Sequence, residues 1–296
     1  MHHQVEDLLQ ESYAECKRLN ALHGKTYYLA TLLLPAAKRP PVHALYGFAR
    51  YADEIVDDLA STLTPAEKAK ELRSWGDSVL ADLRRGKSED LIGRALVDTV
   101  TKYQIPIEYF EAFMVSMEMD LTVTRYQSYD DLMTYVYGSA VVIGLEMLPI
   151  LGYSDPRAIE AATALGTAFQ LANFIRDIDE DIERGRIYMP LDDLAMFGVT
   201  EAMLLQRRLT PEIIEAIKYQ IARVRELQAV ADAGIKYLDP ISRPCIRAAS
   251  ELYCGIVDEI EANGYDVFTK RATTSTWRRA RVAGWAFLQT LFIRMR

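Results

Sequence analysis

Between Gly166 and Asp181 the chain places Gly166, Gln170, Asn173, Asp177 and Asp181 at intervals of four, three, four and four. On an α-helix these residues form one line, because 3.6 residues make a turn. A helix that carries a stripe of amides and carboxylates with a glycine at its apolar end needs something to face. An earlier stretch has the same form: Tyr46, Arg50, Asp53 and Asp57 again stand four, three and four apart. Two matched acidic ladders restrict the fold to one in which two helices present them to a common space.

The rest of the chain agrees with a helical reading. Apolar residues recur at three- and four-residue steps, while alternating β-branched segments closed by tight turns are nearly absent. Helices are predicted from Val5 to Leu22, through the apolar run ending at Leu34, and from Pro41 to Asp58. Further helices are predicted from Pro65 to Arg85 after the cap residue Thr64, over Asp90–Tyr103 and Pro106–Thr124, and over Ser128–Leu151 with interruptions at Gly138 and Gly144. A long helix is predicted from Pro156 to Glu183, followed by Pro211–Tyr237, Ile241–Asn263 and a last helix from Thr276. No linker or low-complexity tract divides the 296 residues, so one all-α domain over 1–296 is expected.

Composition removes several function classes. A formal charge of −8 argues against a nucleic-acid partner. Cys16, Cys245 and Cys254 are too scattered for a disulfide framework or a zinc site. The N-terminus lacks the basic-then-apolar layout of a signal peptide, and no uncharged apolar run reaches the roughly 20 residues that span a bilayer. A cytoplasmic protein is expected, with peripheral membrane contact through the last helix. There Arg278, Arg279, Arg281, Arg294 and Arg296 flank Trp285, Phe287, Leu288, Leu291, Phe292 and Ile293, an aromatic and cationic pattern suited to a lipid surface.

Two aspartates at i, i+4 cost an isolated helix about 0.2–0.5 kcal/mol, and four carboxylates opposed across a cavity repel far more strongly. Cations between them remove the conflict. Mg²⁺ suits such a place because it prefers oxygen ligands and is commonly held by a few carboxylates plus substrate phosphates. A di-iron bundle would require Glu-x-x-His pairs, yet His2, His3, His23 and His43 all precede residue 44. The residues therefore favour a helical bundle that holds Mg²⁺ and a diphosphate.

Asp53-Glu54-Ile55-Val56-Asp57 after Arg50, and Gln170 through Asp181 followed by Gly185-Arg186-Ile187-Tyr188-Met189-Pro190, closely resemble the two signatures of the squalene/phytoene synthase family. His23 through Tyr27, Met119-Asp120-Leu121, Tyr135 through Gly144 and Asn263 through Phe268 resemble further family segments in the same order. The resemblance implies an all-α isoprenoid-synthase bundle around a central cavity, in which two prenyl diphosphates are condensed head to head. It implies Asp53, Asp57, Asp177 and Asp181 as catalytic metal ligands, with Asn173 as a further oxygen donor. Mg²⁺, with Mn²⁺ as a substitute, is the implied cofactor, and NADPH is not expected if the product is phytoene.

The same resemblance assigns Lys25, Thr26, Tyr46, Arg50, Ser139, Gln170, Asn173, Arg176 and Arg186 to substrate binding, and Tyr135 and Tyr188 to the catalytic centre. Arginine suits diphosphate because its planar fork matches phosphate oxygens. The chain departs from the family pattern at Gly24, usually a serine, and at Ser139-Ala140-Val141. The length, the Tyr-Asp-Val-Phe ending and the Leu145 through Pro149 run resemble bacterial members that join two geranylgeranyl diphosphates to phytoene through a cyclopropylcarbinyl diphosphate. Downstream carotenoid enzymes are then expected contacts. The alternative is a farnesyl-using enzyme that forms squalene, dehydrosqualene or hydroxysqualene, and a remoter one is a non-catalytic assembly or binding protein.

Overall fold

A computed structural model describes residues 2–57 and 62–294; the side chains of residues 2–5, 25, 26, 57 and 294 lie outside the described set. Among the described residues there are no strands, only two isolated bridges, Arg125 with Ile187 and Tyr153 with Leu238. The helices are α1 His2–His23, α2 Lys25–Thr31, α3 Arg39–Asp57, α4 Pro65–Arg85, α5 Leu91–Tyr103 and α6 Ile107–Thr122. After them come α7 Tyr129–Val136, α8 Val142–Leu151, α9 Arg157–Arg176, α10 Ile178–Glu183, α11 Leu191–Met196 and α12 Glu201–Leu205. The last four are α13 Pro211–Gly234, α14 Arg243–Cys254, α15 Ile256–Ala262 and α16 Thr276–Arg294.

Local chemistry sets many of these limits. Thr64 and Glu67 form a reciprocal capping box at the start of α4, and Gly86 ends that helix at φ +69, where a side chain would be strained. Asp90 caps α5 by accepting from the Ile92 and Gly93 amides.

Helix α9 runs through the centre and packs against α8, α13, α14 and α15. Its apolar positions are mostly alanines, among them Ala158, Ala161, Ala164, Ala168 and Ala172, so neighbouring backbones come close. At Gly234 of α13, an added Cβ would lie 2.1 Å from the Ala161 Cβ. One buried apolar cluster extends from Leu34 to Ala272 and joins nearly all of these helices.

Three predicted helices differ in a way that shapes the cavity. The Ser128–Leu151 prediction is met by α7 and α8 joined through a π-helical turn, Tyr137–Val141, in which the Val142 amide reaches back to the Tyr137 carbonyl. Gly138 explains the place of the turn: a Cβ there would lie 2.1 Å from the Ala112 carbonyl oxygen of α6. The Pro156–Glu183 helix is broken at Asp177 (φ −102, ψ +13) into α9 and α10, although the Asp177 and Asp181 amides still bond four residues back. The Ile241–Asn263 prediction resolves into α14 and α15 at Gly255, whose missing side chain admits the Arg278 guanidinium. Tyr129–Leu151 is also the only described stretch with the length and hydropathy of a membrane span, and 56% of its qualifying 18-residue window is buried in the bundle.

Candidate active site

The loop after α6 and the loop after α10 meet side by side. The Ile187 amide donates to the Thr124 carbonyl at 3.0 Å, and the Leu191 amide donates to the Tyr126 carbonyl at 3.0 Å. This pairing brings Asp120, near the end of α6, against Arg186 and Tyr188. Asp120 accepts from the Tyr135 hydroxyl through one carboxylate oxygen and from the Tyr188 hydroxyl through the other, both at 2.9 Å. Its carbonyl accepts from Arg186 at 2.7 Å. The Tyr188 ring stacks on Phe174 with centroids 4.2 Å apart and planes 7° from parallel.

Above this layer a polar cavity opens with roughly 1200 Å³ of empty space. Tyr46 and Asp53 of α3 line one side. Gln170, Asn173, Arg176, Asp177 and Asp181 line the other, with Ser139 on the π turn and Arg184 and Arg186 beyond. Tyr46 and Asp53 of the first ladder therefore line one space with Gln170, Asn173, Asp177 and Asp181 of the second. Beneath it lies an apolar cavity with roughly 1190 Å³ of empty space, and Tyr27, Ile143 and Asn173 belong to the walls of both. This combination of apolar depth and a few convergent polar groups characterises small-molecule sites.

Not every sequence candidate reaches the cavity. Arg50 does not line it; its guanidinium is drawn one turn along α3 to Glu54, at 3.2 Å from Nε. The side chains of Lys25, Thr26 and Asp57 lie outside the described residues. Gln170 donates to the Ser139 hydroxyl only at the limit of 3.5 Å. Gly166 lines the apolar cavity, and it also lets the π turn approach, since a Cβ would lie 2.9 Å from the Ala140 oxygen. Gly24 has a similar cause: a Cβ would lie 2.6 Å from the Tyr46 ring, which itself stacks on Tyr27.

Three participants are not among the candidate site residues. Asp120 lies in the Met119-Asp120-Leu121 segment that resembles the family, but the sequence assigns it no role until the paired loops surround it. Arg184 reads as a loop cation. Arg271 lies far along the chain, yet its Nε donates to Asp177 at 2.8 Å while Arg176 holds the same carboxylate at 2.7 and 2.5 Å.

Electrostatics separates the two aspartates of the second ladder. Burial works against the charge of Asp177, but Arg176 and Arg271 outweigh it and hold the carboxyl below its ordinary value. Asp181 is pushed up to about 7, first by burial and then by the neighbouring Asp177 charge. Tyr135 is pushed well above its ordinary value, chiefly by burial and then by Asp120. The Asn173 side-chain oxygen is buried without a protein partner and belongs to the wall of both cavities. Carboxylates that repel one another, together with an amide oxygen lacking a donor, fit a hard divalent cation chemically. Among the described residues no three acidic, histidine or cysteine side chains are already grouped for one, and Asp177 is turned to its arginines instead.

The sequence as a whole decides the lineage. A family model described as squalene/phytoene synthase matches residues 21–278. The chain belongs to that family. It is 38% identical to the phytoene synthase of Arthrospira platensis over 91% of this chain and 90% of the relative. It is 37% identical to the 15-cis-phytoene synthase of Synechococcus elongatus over 92% of this chain and 91% of the relative. A crystal structure of a dehydrosqualene synthase in complex with ligand superposes with a TM-score of 0.85, covering 97% of this chain and 98% of that one, at 24% identity. That last likeness establishes the helical fold. The family consists of prenyltransferases that generally depend on a divalent metal.

Proposed function

We propose that this enzyme condenses two geranylgeranyl diphosphates head to head to phytoene, with release of two diphosphates. The observation that carries this reading is the adjacency of the two cavities, which share Tyr27, Ile143 and Asn173 in their walls. A polar mouth with carboxylates and guanidiniums lies against an apolar pocket, which suits a molecule with a diphosphate head and a hydrocarbon tail. Names borne by relatives over almost the whole chain point to the C20 substrate.

Asp53, Asp57, Asp177 and Asp181 would hold Mg²⁺, with the Asn173 oxygen as a neutral ligand. When bound, the metal supplies Lewis-acid stabilisation of charge on the departing diphosphate. Arg176, Arg184 and Arg186 stand at the polar mouth to grip the phosphate oxygens. Asp120 fixes the Tyr135 and Tyr188 hydroxyls, so both rings stay in the cavity wall, where their π electrons would stabilise an allylic cation. The apolar walls exclude water, which otherwise captures that cation. Attack by the second substrate's double bond on that cation, with loss of a proton, then gives the cyclopropylcarbinyl diphosphate, and its ionisation, rearrangement and loss of a second proton yield the C40 hydrocarbon. Phytoene is insoluble in water, so peripheral contact with a lipid surface belongs to the same reading.

Incubating the purified enzyme and Mg²⁺ with geranylgeranyl diphosphate, and separately with farnesyl diphosphate, tests the proposal. A C40 hydrocarbon identified by mass is expected, and a C30 product alone would overturn it.

A further inference from the structure

Helix α16 is packed the wrong way round for a helix whose outer face meets only water. The seam it turns to the bundle consists of small residues, Val282, Ala286 and Thr290, against Ala248 of α14 and Leu33 just after α2. Its largest residues face outward: Trp277, Trp285 and Phe292 are 79%, 63% and 66% exposed. Trp277, Arg281, Trp285, Leu288 and Phe292 stand four, four, three and four apart, so the exposed apolar groups form one line. Scattered surface apolar residues need no explanation, but a continuous aromatic line does. Leu29 of α2 lies one turn before Leu33 and is 64% exposed, and Leu32 is exposed beside it, so the apolar surface continues off α16.

Charge selects the occupant. From Val267 to Arg296 the chain contains Lys270, Arg271, Arg278, Arg279, Arg281, Arg294 and Arg296 and no acidic residue, although the chain as a whole carries −8. Arg278 and Arg281 reach back to Asp258 and Glu251, which fixes α16 on the bundle, yet the Arg281 side chain remains 62% exposed on the aromatic line. Exposed tryptophans and phenylalanines interleaved with arginines match a layer that has anionic headgroups above and hydrocarbon below. A second copy of this surface would set its cations against their own kind.

We infer that the outer face of α16, with the leucines of α2, docks on an anionic phospholipid bilayer. The site beneath gives the docking a purpose. Helices α2 and α14, which α16 and its neighbours cover, are also a wall of the apolar cavity: Ala30 and Thr31 line it from one side, Cys245 and Ala249 from the other. The Cys245 thiol donates to the Ala30 carbonyl at 3.2 Å across that seam. Docking brings this wall of the cavity within one helix layer of lipid, so a hydrocarbon product that parts α2 from α14 at the edge of α16 enters the bilayer without crossing water. This exit rests on the prenyl-transfer reading, whereas the docking itself does not.

Tryptophan emission reads the docking directly. Two of the three tryptophans lie on the proposed face, and the third, Trp75, is stacked between Phe48 and Tyr51. Vesicles of phosphatidylcholine with phosphatidylglycerol should shift the full-length protein's emission to the blue and carry it down on sedimentation. Pure phosphatidylcholine should do so about tenfold less, and high salt should weaken the effect. Trp285→Ser with Phe292→Ser should lower partitioning at least about tenfold while circular dichroism and turnover in detergent stay unchanged. No shift with anionic vesicles, or equal binding to neutral ones, would overturn the inference. So would a concentration-dependent dimer that buries the tryptophans without lipid. If the C40 product is absent in detergent while vesicles still bind, it is the enzymatic reading that fails.

Discussion

Glu146 provides a quantitative test of the helical core. It lies on α8 with no exposed surface, and neither carboxylate oxygen has a hydrogen-bond partner. Burial raises its carboxyl well above the ordinary 4.5. The sign of the linkage follows. Below 4.5 both folded and unfolded chains keep the proton, so pH has no effect through this group. Above 4.5 the unfolded chain releases the proton while the folded protein retains it, so the unfolded state binds fewer protons and stability falls as pH rises. The loss is about 1.4 kcal/mol for each pH unit until the raised value is passed. Glu146→Gln keeps the shape of the protonated acid and has nothing to titrate. Urea unfolding of both proteins at pH 5, 6 and 7 should show the variant gaining on the parent as pH rises, with a slope of up to about 1.4 kcal/mol per unit and near equality at pH 4.5. Every other titrating group cancels in the difference. A difference that stays constant with pH would refute the argument, because it would mean that the folded protein accommodates the carboxylate as readily as water does.

Asp177→Asn should reduce hydrocarbon formation by about 10²–10³-fold, in the range seen when one charge-stabilising group is lost, measured as product per minute at saturating substrate; full turnover would remove Asp177 from the metal set. Thorough chelation with EDTA should abolish turnover, and added Mg²⁺ should restore it. Gly138→Ala should cost about 1–3 kcal/mol or more, since its methyl group meets a carbonyl oxygen of α6 rather than a flexible side chain; an unchanged urea midpoint would show that the π turn relaxes freely.

The elements that sequence made legible are those whose information is periodic. The two ladders align at three- and four-residue steps, and the structure sets Asp53 opposite Asp177 and Asp181 across one cavity. What escaped depends on loops meeting in space. Asp120 acquires its two tyrosine hydroxyls only because the backbone after α6 pairs with that after α10. Arg271 reaches Asp177 from a loop 94 residues further on. Arg50 sits in register with the first ladder, yet Glu54, one turn away, competes for its guanidinium. The Ser139-Ala140-Val141 departure became interpretable once it proved to be the π turn itself, with Ser139 facing the polar cavity and Val141 buried.

The π turn also sets the rotational phase of everything after it. Its one additional residue turns α8 by about 100° relative to an uninterrupted helix. The cavity wall formed by Ile143, Gly144, Met147 and Leu148 depends on that offset. Straightening the turn into ordinary α-helix with no residue lost would pass those places to Val142, Ile143, Glu146 and Met147. Ile143 would then stand where Gly144 now stands, at a site whose added Cβ lies 3.2 Å from the Ala162 carbonyl oxygen. The stretch is apolar almost throughout and would still read as the same helix in any hydropathy profile. Its tolerance is thus asymmetric: side chains along α8 can be exchanged for others of similar volume, but the turn before it cannot straighten while it keeps all its residues.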